Sequence, residues 1–345
     1  MSTIDSARAT VTQAREAAVT EAREAAVTEA REAAVTQARE AAVTEAREAA
    51  VTQAREAAVT EARETFRTWL AEADRVLVAA GAGLSAAAGY DYGDSERLKE
   101  LLPALHRLGL RSRYLLGVPL PEDMMWGYWA VHIDDIRFGP GPNPLYQELR
   151  ALVGDRDHWV TTSNVDALFA RNGFTPERVF TPQGDYGRLQ CTVPCSRETW
   201  PSKPFLDRIR AAYDRDSGRV TDRAALPRCP RCGAAVFPNV RVGPEFVDDP
   251  YLPAGDRLVR WLDAASPDST LLVLEIGAGF NTPGVIRWPM ENLVRRTPGA
   301  RLVRVNPDHP DVPADLGERA LSVPFGADRL LAGLRVPEPV PHVTD

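Results

Sequence analysis

Four cysteines are the whole thiol complement of the 345-residue chain, and they fall in two pairs. Three residues separate Cys191 from Cys195, two separate Cys229 from Cys232, and 33 lie between the pairs. Pro194, Pro230 and Gly233 supply the tight turns of two cysteine knuckles. This spacing suits tetrahedral zinc, and four thiolates leave no open coordination position, so one structural zinc per chain is expected on Cys191, Cys195, Cys229 and Cys232. A second candidate is Gly81-Ala-Gly-Leu-Ser-Ala-Ala-Ala-Gly89. Glycines let backbone N–H groups approach a diphosphate, and a following helix N-terminus favours its charge. After Gly83 the next glycine is Gly89, not residue 86, so the motif alone fits a nucleotide loop or a tight strand-to-helix turn. Three more loops carry polar groups: Thr161-Thr-Ser-Asn-Val-Asp166, Thr181-Pro-Gln-Gly-Asp-Tyr-Gly187 and Ile276-Gly-Ala-Gly-Phe-Asn-Thr-Pro283, with Asn306 beyond them. Singly, each fits turn or cap chemistry. Together, at the end of strands, they describe a ligand site.

Those loops need strands to hold them. Arg75-Val-Leu-Val-Ala-Ala80, His158-Trp-Val-Thr-Thr162, Arg178-Val-Phe-Thr181, Thr270-Leu-Leu-Val-Leu-Glu-Ile276 and Arg301-Leu-Val-Arg-Val305 are short apolar runs, each entering a polar or Gly-rich loop. Helical segments separate several of them, so the expected fold class is α/β with a parallel sheet, its ligands outside the strands' carboxyl ends. Two intervals fall outside the sheet: 91–150 reads as helical and Pro-punctuated, and 187–247 holds every cysteine. Phe66, Trp69 and Leu70 suggest a short amphipathic helix before the first strand.

Residues 1–64 are different. Val-Thr-(Gln/Glu)-Ala-Arg-Glu recurs seven times, from Val11 to Val59, with a period of eight. In a helix each repeat advances about 80° beyond two turns, so the valines spiral and make no buried stripe. No Glu–Arg pair falls at i,i+3 or i,i+4. Ala, Glu and Arg still favour helix, so 1–64 reads as a solvated helical repeat or a disordered tail. It is either a tandemly expanded tail or the result of a start codon set too early, or it serves as a tether or in assembly. The net charge is −7, of which the eleven Glu, one Asp and eight Arg of 1–64 contribute −4. Such a balance gives no basic footprint for nucleic acid. No run of ~18 apolar residues could span a membrane, and the first residues lack a signal-peptide pattern. A cytoplasmic protein with reduced or metal-bound cysteines is expected.

Gly81-Ala-Gly-Leu-Ser85, Asn164-Val-Asp166, the paired cysteine knuckles and Gly277-Ala-Gly-Phe-Asn281, in this order, resemble a sirtuin over roughly 66–335. Trp126-Gly-Tyr-Trp-Ala-Val-His-Ile133, Gln183-Gly-Asp-Tyr-Gly-Arg-Leu-Gln-Cys191, Cys229-Pro-Arg-Cys-Gly233 and Gly279-Phe-Asn-Thr-Pro283 are most similar to the microbial macrodomain-associated class. The resemblance implies a sirtuin-like catalytic domain over 65–345. Its Rossmann-like part would be about 65–90, 151–186 and 245–335, its helical insertion about 91–150, and its small zinc-ribbon module about 187–244. It further implies NAD as substrate, with attack at the anomeric carbon of the nicotinamide ribose and loss of nicotinamide. By position Ala80, Gly81, Ala82, Gly83, Leu84 and Ser85 would hold the diphosphate. Asn164 and Asp166 would flank the nicotinamide and its ribose, with Gln183, and Gly277, Ala278, Asn281 and Asn306 would hold the adenosine side.

Departures from the family pattern bear on the reaction. Deacylating sirtuins have a His-Gly pair where this chain has Gln183-Gly184, and a carboxamide cannot take a ribose hydroxyl proton near neutrality. Ser163 stands where the family has Gln. Asp91-Tyr-Gly-Asp94 replaces a Pro-Asp-Phe-Arg run, which leaves Tyr92 at the cofactor and Arg97 as the nearest cation. The macrodomain-associated class shares Gln-Gly-Asp-Tyr, and its described activity is protein mono-ADP-ribosylation of lipoylated carrier proteins. The catalytic set implied is Asn164, Asp166 and Gln183, in an NAD-dependent protein ADP-ribosyltransferase acting on a protein substrate. A lysine deacylase with a substituted base and a non-catalytic NAD or ADP-ribose sensor are the alternatives. None of His106, His132, His158, His309 or His342 fills the missing position, and His132, between aromatic residues, reads as core. Asp166 could serve as base, stabilise a cationic sugar, or simply cap the next helix.

Overall fold

The computed structural model describes residues 2–139 and 141–334; His342 and residues 335–345 of the expected catalytic domain lie outside them. The chain forms two compact units, Met1–Thr60 and Glu61–Asp345. Helix α1 runs from Ser2 to Glu72, through a stretch with neither Gly nor Pro. In the first unit Val19, Val27, Val35, Val43 and Val51 are each 50–53% exposed, as an eight-residue period requires. Thr20, Thr28, Thr44 and Thr52 donate their hydroxyls to the carbonyl four residues back, at 2.9 Å, which satisfies them within the helix.

The amphipathic segment expected to begin separately near Phe66 is instead the end of α1, because nothing between Glu64 and Phe66 breaks a helix. In the second unit Ala62, Phe66 and Leu70 are buried, and Arg63 donates to the carbonyls of Arg329 and Ala332. Deletion of residues 1–60 is therefore expected to leave the melting temperature of the second unit unchanged. Deletion of 1–72 removes two fully buried side chains, a loss of roughly 3–5 kcal/mol for each. Thermal melts of the two truncations check this.

Six parallel strands make the main sheet: β1 (Arg75–Ala80), β2 (Asp157–Thr162), β3 (Val179–Phe180), and, later in the chain, β9 (Leu271–Ile276), β10 (Ala300–Val305) and β11 (Ala320–Val323). Their spatial order is β11-β10-β9-β1-β2-β3. β1 and β9 are buried throughout, which is why they read as unbroken apolar runs. From β1 the chain builds outward through β2 and β3, and from β9 it builds the opposite way. The β1/β9 pair is thus the topological switch point, with its crevice at the carboxyl ends. α2 (Ala82–Ala87), α6 (Pro144–Val153), α7 (Leu168–Arg171), α9 (Leu252–Asp263), α10 (Arg287–Arg296) and α11 (Ala327–Leu331) complete this part. β11 is too short to stand out in the sequence, and the run from Arg178 shortens to two residues between a 3-10 turn and Pro182.

A second core belongs to the remaining residues. α3 (Ser95–Leu101), α4 (Pro103–Arg107), α5 (Glu122–Arg137) and α8 (Lys203–Ala211) pack with the antiparallel sheet of β4 (Gly184–Cys191), β5 (Thr199–Pro201) and β8 (Val236–Val240). The hairpin β6 (Tyr213–Asp214) and β7 (Arg219–Val220) lies beside α5. Trp126, Tyr128, Trp129 and Ile133 of α5 supply much of that core, together with Cys191 and Cys229.

Candidate functional site

All the predicted polar loops emerge at the carboxyl end of the sheet. Two adjoining cavities, of ≈ 530 and ≈ 460 Å³, run across it and share Ala82, Gly83, Ala86, Ser163, Asn281 and Thr282. Each is of ordinary ligand-site size. The outer one lies over the switch point, against Gly81, Gly277, Ala278, Phe280, Asn306 and His309. The inner one runs toward the cysteine-bearing module, past Asn164, Asp166 and Gln183 to Tyr92, Tyr186 and Arg241.

The two glycine loops are packed backbone against backbone. Gly83 N–H donates to Gly277 O at 3.0 Å, and Gly277 has φ +64° with its Cα against Gly83. A Cβ on Gly277 would come within 2.4 Å of Leu84 N and 2.5 Å of Gly83 Cα. The glycines are thus required first for the two loops to meet, and only through that for a ligand to lie over both.

At the head of the inner cavity the side chains are interlocked. Asn164 Nδ2 donates to Gly81 O and to Ser85 Oγ, both at 3.0 Å, and Ser85 Oγ donates to Asp166 Oδ2 at 2.6 Å. Asp166 Oδ1 accepts Leu168 N–H at 2.9 Å, capping α7. Between them Ala167 holds φ +56°, the one positive φ among described non-glycine residues, a strain characteristic of functional turns. Asp166 is 3% exposed. Burial pushes its carboxyl up from the ordinary value, and the bonds from Leu168 and Ser85 pull it part of the way back. Gln183 follows on from β3 and precedes Gly184, whose φ of +101° and contact with Asn239 O, 2.0 Å from any Cβ, admit no other residue. Its own carbonyl accepts Arg241 N–H at 3.0 Å, which sets the amide beside the cavity.

The four cysteine sulfurs lie within 4.8 Å of one another. Cys191–Cys232 and Cys195–Cys229 separations are 3.6 Å, far beyond a disulfide and near the ~3.8 Å that four Zn–S bonds of ~2.3 Å impose on a tetrahedron. The donor set fits zinc. Glu198 and Arg231 join the two knuckles with paired bonds of 2.7 and 2.9 Å.

No family model matches the chain. It is 38% identical over 238 residues to a Fusarium oxysporum f. sp. cubense protein named "Probable bifunctional ADP-ribose hydrolase/ADP-ribosyltransferase". That match takes in 67% of this chain and 40% of the fungal protein, so the chain spans about two fifths of that relative's length. A Staphylococcus aureus "Protein ADP-ribosyltransferase" is 28% identical over 252 residues, 71% of this chain and 78% of that one. Another Staphylococcus aureus protein, an "NAD-dependent protein deacetylase", is 23% identical over 237 residues, 68% of this chain and 83% of its own. Among solved structures, a Sir2 homologue in complex with NAD superposes with a TM-score of 0.52 at 21% identity, covering 79% of this chain and 91% of that one. A mutant Sir2 homologue in complex with 2′-O-acetyl ADP ribose gives 0.52 at 20% identity, over 79% and 94%. The fold is that of the sirtuins.

Within this sirtuin fold the expected site residues divide by what their side chains do. Gly81, Ala82, Gly83, Ser85, Tyr92, Ser163, Asn164, Asp166, Gln183, Gly277, Ala278 and Asn281 line one cavity or both. Ala80 and Leu84 are fully buried and line neither; the Ala80 carbonyl accepts Thr162 Oγ1 and Ser163 N–H, bracing β1 to the next loop. Asn306 lines the outer cavity, but its side chain is spent on the fold: Nδ2 donates to Ala278 O and Oδ1 accepts the amides of Asp308 and His309. Arg97 does not face the site. It pairs with Asp135 at 2.5 Å and Glu100 at 2.7 Å, because α3 turns it toward α5. Among the described residues the cation lining the inner cavity is Arg241, anchored by Pro182 O and lying over Phe246. Nothing local in the sequence marked Arg241, Tyr90 or Tyr114: β8 of the zinc module brings in Arg241, and the loops on either side of α3 and α4 bring in the two tyrosines. His132 is core, fully buried against Tyr92, Tyr128 and Tyr186, and burial and Arg113 lower it to about 3. Glu275 is likewise structural, held by Arg304 at 2.7 and 2.9 Å.

Asp166 gives a prediction with a definite sign. Its carboxyl is raised in the folded state, so the proton is bound more tightly there than in the unfolded chain. The charged form is therefore a destabilising load that appears as pH rises from the unfolded value of about 3.9 through the raised folded one. Asp166→Asn keeps the Leu168 cap and lets Ser85 accept instead of donate. It should melt above wild type at pH 7, lose that advantage in acid, and bind or turn over its ligand at least ~10²-fold less well. Melts across pH beside activity check both halves.

Proposed function

We propose that the chain is an NAD-dependent protein mono-ADP-ribosyltransferase that releases nicotinamide and passes ADP-ribose to a protein acceptor, a lipoylated carrier protein being the class to test first. The observation that carries this reading is the inner cavity's chemistry: Gln183 stands beside Asn164 and Asp166, and among the described residues no imidazole lines that cavity. His132, behind Tyr92 and Tyr186, stays neutral down to about pH 3 and has no path to a ligand. A ribose hydroxyl could be held there by Gln183 but not deprotonated by it. The activities named for the 38% and 28% identical relatives support the same reading.

Bound across the two cavities, NAD would supply an anomeric carbon whose bond to nicotinamide is already weakened by the pyridinium charge. The chain's own residues then have separable tasks. Gly81, Gly83, Gly277 and Gly279 offer backbone without side chains, and a Cβ on Gly279 would meet no protein atom. Asn164 locks the first glycine loop to Ser85, and the Asp166 carboxylate faces positive charge developing on the sugar. Gln183 orients the ribose, and Arg241 meets the acceptor's approach. Four reduced cysteines suit a cytoplasmic location.

Wild type, Gln183→Ala and Gln183→His are each incubated with NAD and either lipoylated carrier protein or acyl-lysine peptide, and products are weighed by mass spectrometry. Wild type should add ADP-ribose to the carrier protein and leave the acyl group in place. Gln183→Ala should weaken transfer by about tenfold through lost hydrogen bonds, and Gln183→His should not create an efficient deacylase. Deacylation by wild type without transfer would overturn the assignment in favour of a lysine deacylase. NAD binding without either product would make the protein a sensor.

A further inference from the structure

The inner cavity's wall is built partly from residues 90–93 and 112–116, two loops of the helical module. Both are tied at one side chain, Arg113, which is fully buried. Its backbone N–H donates to Tyr92 O at 2.7 Å, and its Nη2 donates to Asp91 O at 3.2 Å. Nη1 bonds Asp135 Oδ2 at 2.6 Å, and the guanidinium lies 5.7 Å from the Tyr92 ring. The Arg113 carbonyl in turn accepts the Tyr128 hydroxyl at 2.6 Å, and Ser112 Oγ adds a second bond to Tyr92 O. Asp135 also holds Arg97, so one carboxylate of α5 anchors two arginines.

Such a buried pair is a poor way to stabilise a core, since apolar residues of like volume commonly do as well or better. What an apolar residue could not do is hold the Asp91 carbonyl of the cavity wall, beside the Tyr92 carbonyl that the Arg113 backbone N–H already holds. We infer that Arg113 is a positioning residue, which, braced by Asp135, holds the 90–93 wall against the ligand in the cavity that also contains Asn164, Asp166 and Gln183. This rests on the reading of that cavity as the NAD site. Arg113 lines neither cavity of the site and so acts there through Asp91 and Tyr92. A held wall needs no reordering when ligand arrives, and a wall released by an ångström or so should cost affinity steeply.

The test uses the full chain and two variants, Arg113→Lys and the double variant Arg113→Met/Asp135→Leu, with Arg97→Ala as control. The double variant replaces the pair by apolar volume and should fold with zinc content and melting temperature close to wild type. In both variants NAD affinity by calorimetry should fall about tenfold or more, whereas Arg97→Ala should change it less than about threefold. Backbone hydrogen exchange at Gly93 and Asp94 should speed up in the variants with no ligand present. Unchanged NAD affinity in a folded variant, or affinity that merely tracks the melting temperature, would overturn the inference. If the variants fail to fold, exchange in wild type decides: amides of 90–94 must be protected well above free-chain rates. If wild type binds no NAD, the proposed function falls, and the exchange comparison still decides whether Arg113 holds the wall.

Discussion

Asn164→Ala is expected to reduce turnover ~10²–10³-fold, the scale of losing a positioned polar group at a reacting centre. With the diphosphate assigned by resemblance to Ala80–Ser85, the sequence alone leaves diphosphate binding in place after this change. The geometry expects more. Asn164 Nδ2 donates to Gly81 O and to Ser85 Oγ, so alanine leaves that carbonyl of the glycine loop with Leu84 N–H alone and loosens the hydroxyl that faces Asp166. Affinity for NAD should therefore fall as well, by several-fold, an effect on the order of one lost hydrogen bond. Asn164→Asp keeps the shape but sets a carboxylate against Gly81 O and beside Asp166, and should be no better. Calorimetry and single-turnover transfer separate the two losses. A fall in turnover under about threefold would remove Asn164 from the reacting centre.

Cys229→Ser is expected to unfold the small module. Cys229 is 3% exposed and belongs to the same core as Trp126, Trp129 and Leu189. Structural zinc contributes apparent binding free energies of about 10–16 kcal/mol in small zinc modules, as large as the whole stability of an ordinary domain. β4 carries Cys191 at one end and Gly184, next to Gln183, at the other, so losing the metal should disturb the inner cavity too. Metal analysis should read one zinc in wild type and none in the variant. Near-UV circular dichroism from the tryptophans of α5 should collapse while the α1 signal in the far UV persists. Retained zinc with a wild-type melt would refute it. Prolonged chelation of wild type should reproduce the variant.

Much of this was legible residue by residue. The cysteine spacing named its four ligands because a knuckle is a local object, and the sulfurs do converge. Five of the six parallel strands were visible, β1 and β9 most plainly, because a strand buried on both faces must be a continuous apolar run. β11 escaped because Ala320–Val323 is short and half-buried, and α1 ran past its expected end because no breaker interrupts 2–72. The eight-residue period alone decided that the repeat would bury no stripe.

Other facts exist only in three dimensions. Gly81 and Gly277 lie 196 residues apart in the chain and meet because β1 pairs with β9 at the switch point, so their need for glycine is mutual and neither motif shows it alone. Arg97 looked like the cavity's cation from its distance along the chain, yet α3 delivers it to Asp135, and β8 brings Arg241 in from 75 residues beyond Asp166. Side-chain types and local spacing set the chemistry available to this chain: amide, carboxylate, carboxamide, thiolates. Which of those groups face one another was decided by strand order and by burial, because pairing of distant strands and desolvation of a carboxyl such as Asp166 are properties of the packed whole.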